Sequence, residues 1–275
     1  MKAPVTPQVS AFHRLHDSGC LVIPNPWDRG SGRMLASLGF RALATTSSGF
    51  AWSTGRPDNH VPLDEMLAHL AAVAGAVDLP VNADFEGGFA TAPDALAANV
   101  TRAVETGIAG LSIEDSTGDS ARPLFDLHVA VERVRAAREA IDRSGTGVLL
   151  TGRSEGFIVG QPDLAETIRR LTAYAEAGAE CLYAPGLRSE SDITAVVRAV
   201  APKPVNVLVG SDFTTVARLA ELGVRRISTG GALARAAWTG FLAAAREIAK
   251  TGTFGALAEA VPFTEIDSAF PPVRA

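Results

Sequence analysis

Eight short apolar runs recur along the chain, at residues 21–24, 42–46, 81–84, 110–114, 148–152, 181–184, 205–209 and 226–228. Most are separated by segments of helical period. Leu164, Ile168, Leu171 and Ala175 fall on one helical face, with Pro162 near the start of that segment and Gly178 just past its end. Leu63, Met66, Leu67, Leu70 and Val73 make a second stripe, and Leu127, Val131, Val134 and Ala137 a third. A strand followed by a helix, repeated eight times, requires parallel strands with crossover helices. Eight such units in about 250 residues fit an α/β fold of the (β/α)8 TIM barrel type. An open doubly wound sheet is the competitor, but no GxGxxG fingerprint follows the first run. No Pro-, Ser- or charge-rich boundary divides the chain, so residues 1–275 are expected to form one barrel domain. Residues 251–275 form a C-terminal extension with Phe254, Leu257, Phe263, Ile266, Phe270 and Pro271-Pro272, expected to pack on the barrel or on a partner subunit.

A net charge of -5 and the absence of any basic run argue against nucleic acid as a partner. Cys20 and Cys181 show no CxxC spacing, which disfavours a disulfide scaffold or zinc site and fits a reduced cytoplasm. Residues 1–10 lack the apolar core of a signal peptide. The longest apolar stretch, residues 231–249, is interrupted by Arg235 and Arg246, so no membrane span is expected.

Acidic residues cluster where the apolar runs end. Residues 79–83 lead into Asp84-Phe85-Glu86-Gly87-Gly88, and residues 110–113 into Glu114-Asp115. In a parallel barrel these ends share one mouth, where several carboxylates repel one another unless a cation or proton intervenes. With only hard oxygen ligands nearby the fitting cation is Mg²⁺, with Mn²⁺ as the alternative. Asp84 and Glu86 are expected to share one face of an extended strand, with the glycines admitting close approach. Arg153, after the fifth run, suits a bidentate grip on a carboxylate or an ion pair with the acids. Ser47-Ser48-Gly49 offers hydroxyls and free N–H groups to an anion; Asp58 lies in a Gly/Pro-rich stretch suited to a lid; Asn206 is a further polar strand-end residue. Of the five histidines, all but His60 read as structural or surface.

These segments together resemble the isocitrate lyase/phosphoenolpyruvate mutase superfamily. The resemblance runs from about Ile23 to Trp238. It rests on Asn25-Pro26-Trp27-Asp28, Thr46-Ser47-Ser48-Gly49-Phe50-Ala51-Trp52, Gly55-Arg56-Pro57-Asp58, Ala83-Asp84-Phe85-Glu86-Gly87-Gly88-Phe89, Ile113-Glu114-Asp115-Ser116, Gly152-Arg153-Ser154-Glu155, Tyr174-Ala175-Glu176-Ala177-Gly178-Ala179 and Pro204-Val205-Asn206-Val207-Leu208. It implies a barrel whose last helix is swapped between subunits of a dimer or tetramer. It implies Mg²⁺ held directly by Asp84, with Asp58, Glu86 and Glu114 on metal-bound waters. The substrate carboxylate would sit on Ser48-Gly49 and Arg153, beside Ser47 and Asn206. The chemistry implied passes through an enolate of a 2-oxo acid, whose charge a cation stabilises only as it develops.

Two departures narrow the activity. The Lys-Lys-Cys-Gly-His loop of isocitrate and methylisocitrate lyases is absent, and residues 116–120 carry no Lys of the mutase type. Glu86 also stands where Asp is more usual. A decarboxylase needs neither group, because loss of CO₂ leaves the enolate directly. The sequence is therefore read as a Mg²⁺-dependent C–C lyase or decarboxylase for a small 2-oxo or 2-hydroxy dicarboxylate, with Asp58, Glu114 and Arg153 as catalytic candidates. P–C bond chemistry, and a barrel that binds carboxylates without turnover, are the alternatives.

Overall fold

The computed structural model describes residues 4–270, so the Pro271-Pro272 pair lies outside the described residues. Eight strands form one parallel sheet: β1 (Leu21–Ile23), β2 (Leu43–Ala44), β3 (Val81–Asp84), β4 (Gly110–Glu114), β5 (Leu149–Arg153), β6 (Cys181–Tyr183), β7 (Val205–Leu208) and β8 (Arg226–Ser228). The order is β1-β8-β7-β6-β5-β4-β3-β2. The two ends meet: the Ala44 N–H donates to the Pro24 carbonyl at 3.1 Å, and Asn25 Nδ2 donates to the Thr45 carbonyl at 2.7 Å. Asn25 Oδ1 also accepts from the N–H groups of Thr229 and Gly230, so one side chain joins β1, β2 and the end of β8. The eight parallel strands thus form the (β/α)8 barrel that the strand–helix repeat predicts.

Helix α1 (Pro7–Asp17) precedes the barrel and buries Val9 and Phe12. The remaining helices are α2 (Arg29–Ser37), α3 (Ser47–Ser53), α4 (Leu63–Ala74), α5 (Pro93–Val104), α6 (Leu127–Ser144), α7 (Leu164–Glu176), α8 (Glu190–Val200), α9 (Val216–Glu221), α10 (Ala232–Thr251) and α11 (Phe263–Ser268). Their apolar stripes face the sheet, which explains why the strands are buried on both faces and read as continuous apolar runs. Leu67, Leu70 and Val73 on α4, and Val134, Ala137 and Ile141 on α6, are buried in the common core.

Helix α10 behaves differently. It buries only Ala234, while Trp238, Phe241, Leu242 and Ile248 are exposed, Phe241 by 60%. Phe254, Leu257, Phe263 and Ile266 of the following extension are exposed as well. Among the described residues, no helix is long and apolar enough to cross a membrane.

Candidate active site

The C-terminal strand ends enclose a cavity of about 180 Å³, lined by residues that include Thr45, Ser47, Ser48, Asp58, Asp84, Arg153, Tyr183 and Asn206. Asp84 closes β3. Its backbone N–H donates to Thr45 Oγ1 at 2.9 Å, and its two carboxylate oxygens take different donors. Oδ2 accepts the Ser47 N–H at 3.0 Å, and Oδ1 accepts Arg153 Nη1 at 3.1 Å. Arg153 is the last residue of β5, in register with Glu114 on β4. The same Nη1 lies 3.1 Å from Glu114 Oε2, and Nε lies 2.5 Å from Glu155 Oε1. The guanidinium carbon sits 5.3 Å from the centre of the Tyr183 ring. One arginine therefore faces three carboxylates, all largely removed from water.

Asp58 lies in the segment between α3 and α4 and reaches the same cavity. Ser47-Ser48-Gly49, expected to offer hydroxyls and free N–H groups to an anion, is helical. It is the first turn of α3, capped by Thr46, whose Oγ1 accepts the Gly49 N–H. The Ser47 N–H is also not free, because Asp84 holds it. Gly49 is required by space: a Cβ there would lie 2.7 Å from Thr46 Cγ2 and 2.9 Å from Trp27 Cβ. Asn206 lines the floor, its Nδ2 donating to Ser228 Oγ at 2.9 Å.

The expectation that Asp84 and Glu86 share an extended face needs correction. Strand β3 ends at Asp84, and Glu86 has a left-handed backbone, φ +48°. The turn, rather than strand alternation, aims its side chain. Arg133 on α6 holds that turn from behind, donating to the carbonyls of Gly87, Ala90 and Thr91 while stacking 4.2 Å over Phe125. Glu114 and Asp115, adjacent in sequence, point apart as strand alternation requires. Asp115 is buried on the outer side, where it accepts from Tyr174 Oη at 2.6 Å, Arg170 Nη1 at 3.1 Å and the Glu155 N–H at 2.7 Å. That network seats Glu155 against Arg153. Sequence reading singled out neither Glu155 nor Tyr183 individually; the signal available was Glu155 two positions beyond Arg153.

The electrostatics are those of excess negative charge. Burial, reinforced by Asp84 and Asp58, pushes the Glu86 carboxyl up to about 8. Burial raises Glu114 well above the usual carboxylate range, with Arg153 opposing and Glu155 and Asp84 adding. Asp58 is raised by burial and by Asp84, and Glu155 by burial against the pull of Arg153. Burial disfavours the charged Arg153 guanidinium, but Glu155, Glu114 and Asp84 outweigh it and hold the proton firmly.

This donor set suits a hard divalent cation. Glu86 Oε1 is buried without a hydrogen-bond partner, and Glu86, Glu114, Asp58 and Glu155 are each destabilised in the charged form. Among the described residues no three His, Cys, Asp or Glu side chains converge as a closed ligand cage. An ion that keeps several waters and takes only one or two carboxylates directly fits that arrangement, as Mg²⁺ does.

A parallel barrel that gathers carboxylates around one arginine at its C-terminal mouth carries its charged groups where (β/α)8 enzymes place their active sites. Residues 12–249 match the phosphoenolpyruvate phosphomutase family, and the chain belongs to it, within the phosphoenolpyruvate mutase/isocitrate lyase superfamily. A solved structure from Burkholderia cenocepacia, described as a candidate lyase/mutase, is 46% identical, covers 96% of each chain and superposes with a TM-score of 0.93. An uncharacterised protein of Mycobacterium tuberculosis is 33% identical over 94% of this chain and 95% of its own. Oxaloacetate decarboxylase of Pseudomonas aeruginosa is 29% identical over 80% of this chain and 78% of its own. The relatives whose activity is named include an oxaloacetate decarboxylase and a 2-methylisocitrate lyase, and the chain is an enzyme of this family.

Proposed function

We propose that this chain is a Mg²⁺-dependent lyase or decarboxylase for a small 2-oxo or 2-hydroxy dicarboxylate, in the manner of an oxaloacetate decarboxylase or a substituted-malate lyase. The observation that carries the reading is Arg153 bridging Asp84, Glu114 and Glu155 inside a cavity sized for a small acid. Asp84 holds the metal, with Glu86 and Glu114 on its waters; Mn²⁺ is the alternative ion. The bound cation supplies stabilisation of negative charge on the substrate oxygen as the C–C bond breaks.

The protein residues do the rest. The start of α3, through Ser47, Ser48 and Gly49, seats one substrate carboxylate together with Arg153 and Asn206. Asp58 closes the segment between α3 and α4 over the cavity and excludes water. Burial raises both the Glu114 and the Glu86 carboxyls, and Glu86, pushed up to about 8, can carry a proton near neutral pH. The loop after β4 offers only small polar groups at residues 116–120, so the enolate left by C–C cleavage takes its proton from water.

The exposed apolar face of α10 packs against another copy of the chain in a homo-oligomer, a dimer or tetramer. Sedimentation at micromolar concentration checks this, and a monomer sinks it. The activity is tested by coupled assays for pyruvate or glyoxylate over malate, citrate and phosphonate analogues, with and without Mg²⁺. Metal and oxalate binding without turnover on the whole panel would instead favour a carboxylate-binding barrel.

A further inference from the structure

The cavity contains a second arginine that no carboxylate balances. Arg226 opens β8 and is only 2% exposed, yet it lines the cavity floor. Its Nε donates to Asn206 Oδ1 at 2.9 Å and its Nη2 to Thr151 Oγ1 at 3.0 Å, both neutral acceptors. Its Nη1 is buried with no hydrogen-bond partner. No acid among the described residues forms an ion pair with it, whereas Arg153 has three. A buried charge without a counter-charge is costly to hold. Asp84, Glu114 and Glu155 surround Arg153, so the arginine of this cavity without a carboxylate partner lies on its floor.

Arg226 also fixes a neighbour. Arginine has only donors, so Asn206 must present Oδ1 to it. The amide Nδ2 is thereby turned to Ser228 Oγ, and both Asn206 and Ser228 line the cavity. The floor thus presents a cation and an oriented amide donor to whatever anion enters.

We propose that Arg226 is the residue that sets the charge class of the ligand, making the cavity prefer an acid with two carboxylates over one with a single carboxylate. The inference deepens the dicarboxylate reading above and rests on it. It predicts that the second carboxylate is recognised by an uncompensated charge, so the preference follows the charge at position 226 rather than the shape of the side chain.

The test is calorimetric binding of two 2-oxo acids of equal chain length, 2-oxoglutarate and 2-oxopentanoate, to the full chain in Mg²⁺. The wild type should bind the diacid at least tenfold more tightly. Arg226→Met should lose that preference by weakening the diacid at least tenfold more than 2-oxopentanoate, and Arg226→Lys should keep it. Equal weakening of both ligands in Arg226→Met would mark a purely structural role and overturn the proposal. If Arg226→Met does not fold, the wild type still decides: no preference for the diacid overturns the assignment. Diacid preference intact, with no pyruvate or glyoxylate release from any substrate, would instead defeat the lyase reading and leave the role of Arg226 standing.

Discussion

The backbone N–H of Ser47 donates to Asp84 Oδ2 at 3.0 Å, joining the first turn of α3 to the end of β3. The proposed anion seat and the proposed metal ligand are therefore one hydrogen-bonded unit. Asp84→Ala should abolish the Mg²⁺ response and lower kcat by at least about 10³-fold, on the order of 4 kcal/mol. The side chain faces the mouth, so thermal unfolding should remain cooperative. Near-normal turnover in Mg²⁺ would remove Asp84 from the metal site.

Arg133 should matter for Glu86 without touching the cavity. Its guanidinium satisfies the carbonyls of Gly87, Ala90 and Thr91 behind the left-handed turn. Leaving such buried acceptors unpaired costs about 1–3 kcal/mol each at most. Arg133→Met should lower stability in urea by an amount of that order and weaken Mn²⁺ binding, followed by titration, by about tenfold. Lysine at this position should restore part of both. A destabilised variant with unchanged Mn²⁺ affinity would show that the turn holds its shape unaided.

Stability should fall in mild acid through His69. The ring is buried, stacked 3.8 Å from Phe50, and its Nε2 has no partner. Burial lowers its pKa from 6.5 to about 4, with Asp28 opposing. The unfolded chain therefore binds this proton first as pH drops. The stabilisation is fully present above about pH 6.5 and is lost progressively down to about pH 4, by on the order of 3 kcal/mol in all. Urea unfolding at pH 7.5 and 5 should show a smaller difference for His69→Phe than for wild type. His16, similarly held at about 4, would keep part of the slope. An unchanged slope would contradict the assignment.

The loop after β4 should prove dispensable for proton transfer. Thr117 Oγ1 bonds the Arg122 carbonyl, and Asp119 Oδ1 accepts the Ala121 N–H, so these side chains shape their own turn. Ser116→Ala and Asp119→Asn should each lower kcat by about tenfold, roughly 1.4 kcal/mol. Asp58→Ala should cost on the order of 10²–10³-fold, since closure over the cavity depends on it. A dead loop variant beside a nearly normal Asp58→Ala would place a dedicated acid in the loop.

The barrel was legible because its strands are buried on both faces and its helices on one, so the two periods alternate plainly in sequence. The observed strands fall within those runs, except that β5 extends one residue to Arg153. Site geometry was legible only where strand ends dictate it, as for Asp84 and Glu114. Glu86 escaped, because a positive φ on a non-glycine residue leaves little trace in sequence. The helical start at Ser47-Ser48-Gly49 escaped as well, although Thr46 is a residue type that caps helices. Arg226 escaped for a different reason. A charged residue inside an apolar run gives no indication that it turns inward and stays unpaired.

Metal dependence and product identity together test the central claim. Wild-type protein stripped with EDTA should release no pyruvate from oxaloacetate or substituted malates, and Mg²⁺ should restore release of pyruvate or the matching 2-oxo acid without phosphate from phosphonopyruvate. Turnover that survives complete metal removal, or phosphate release from phosphonopyruvate with no C–C cleavage on any dicarboxylate, would contradict it.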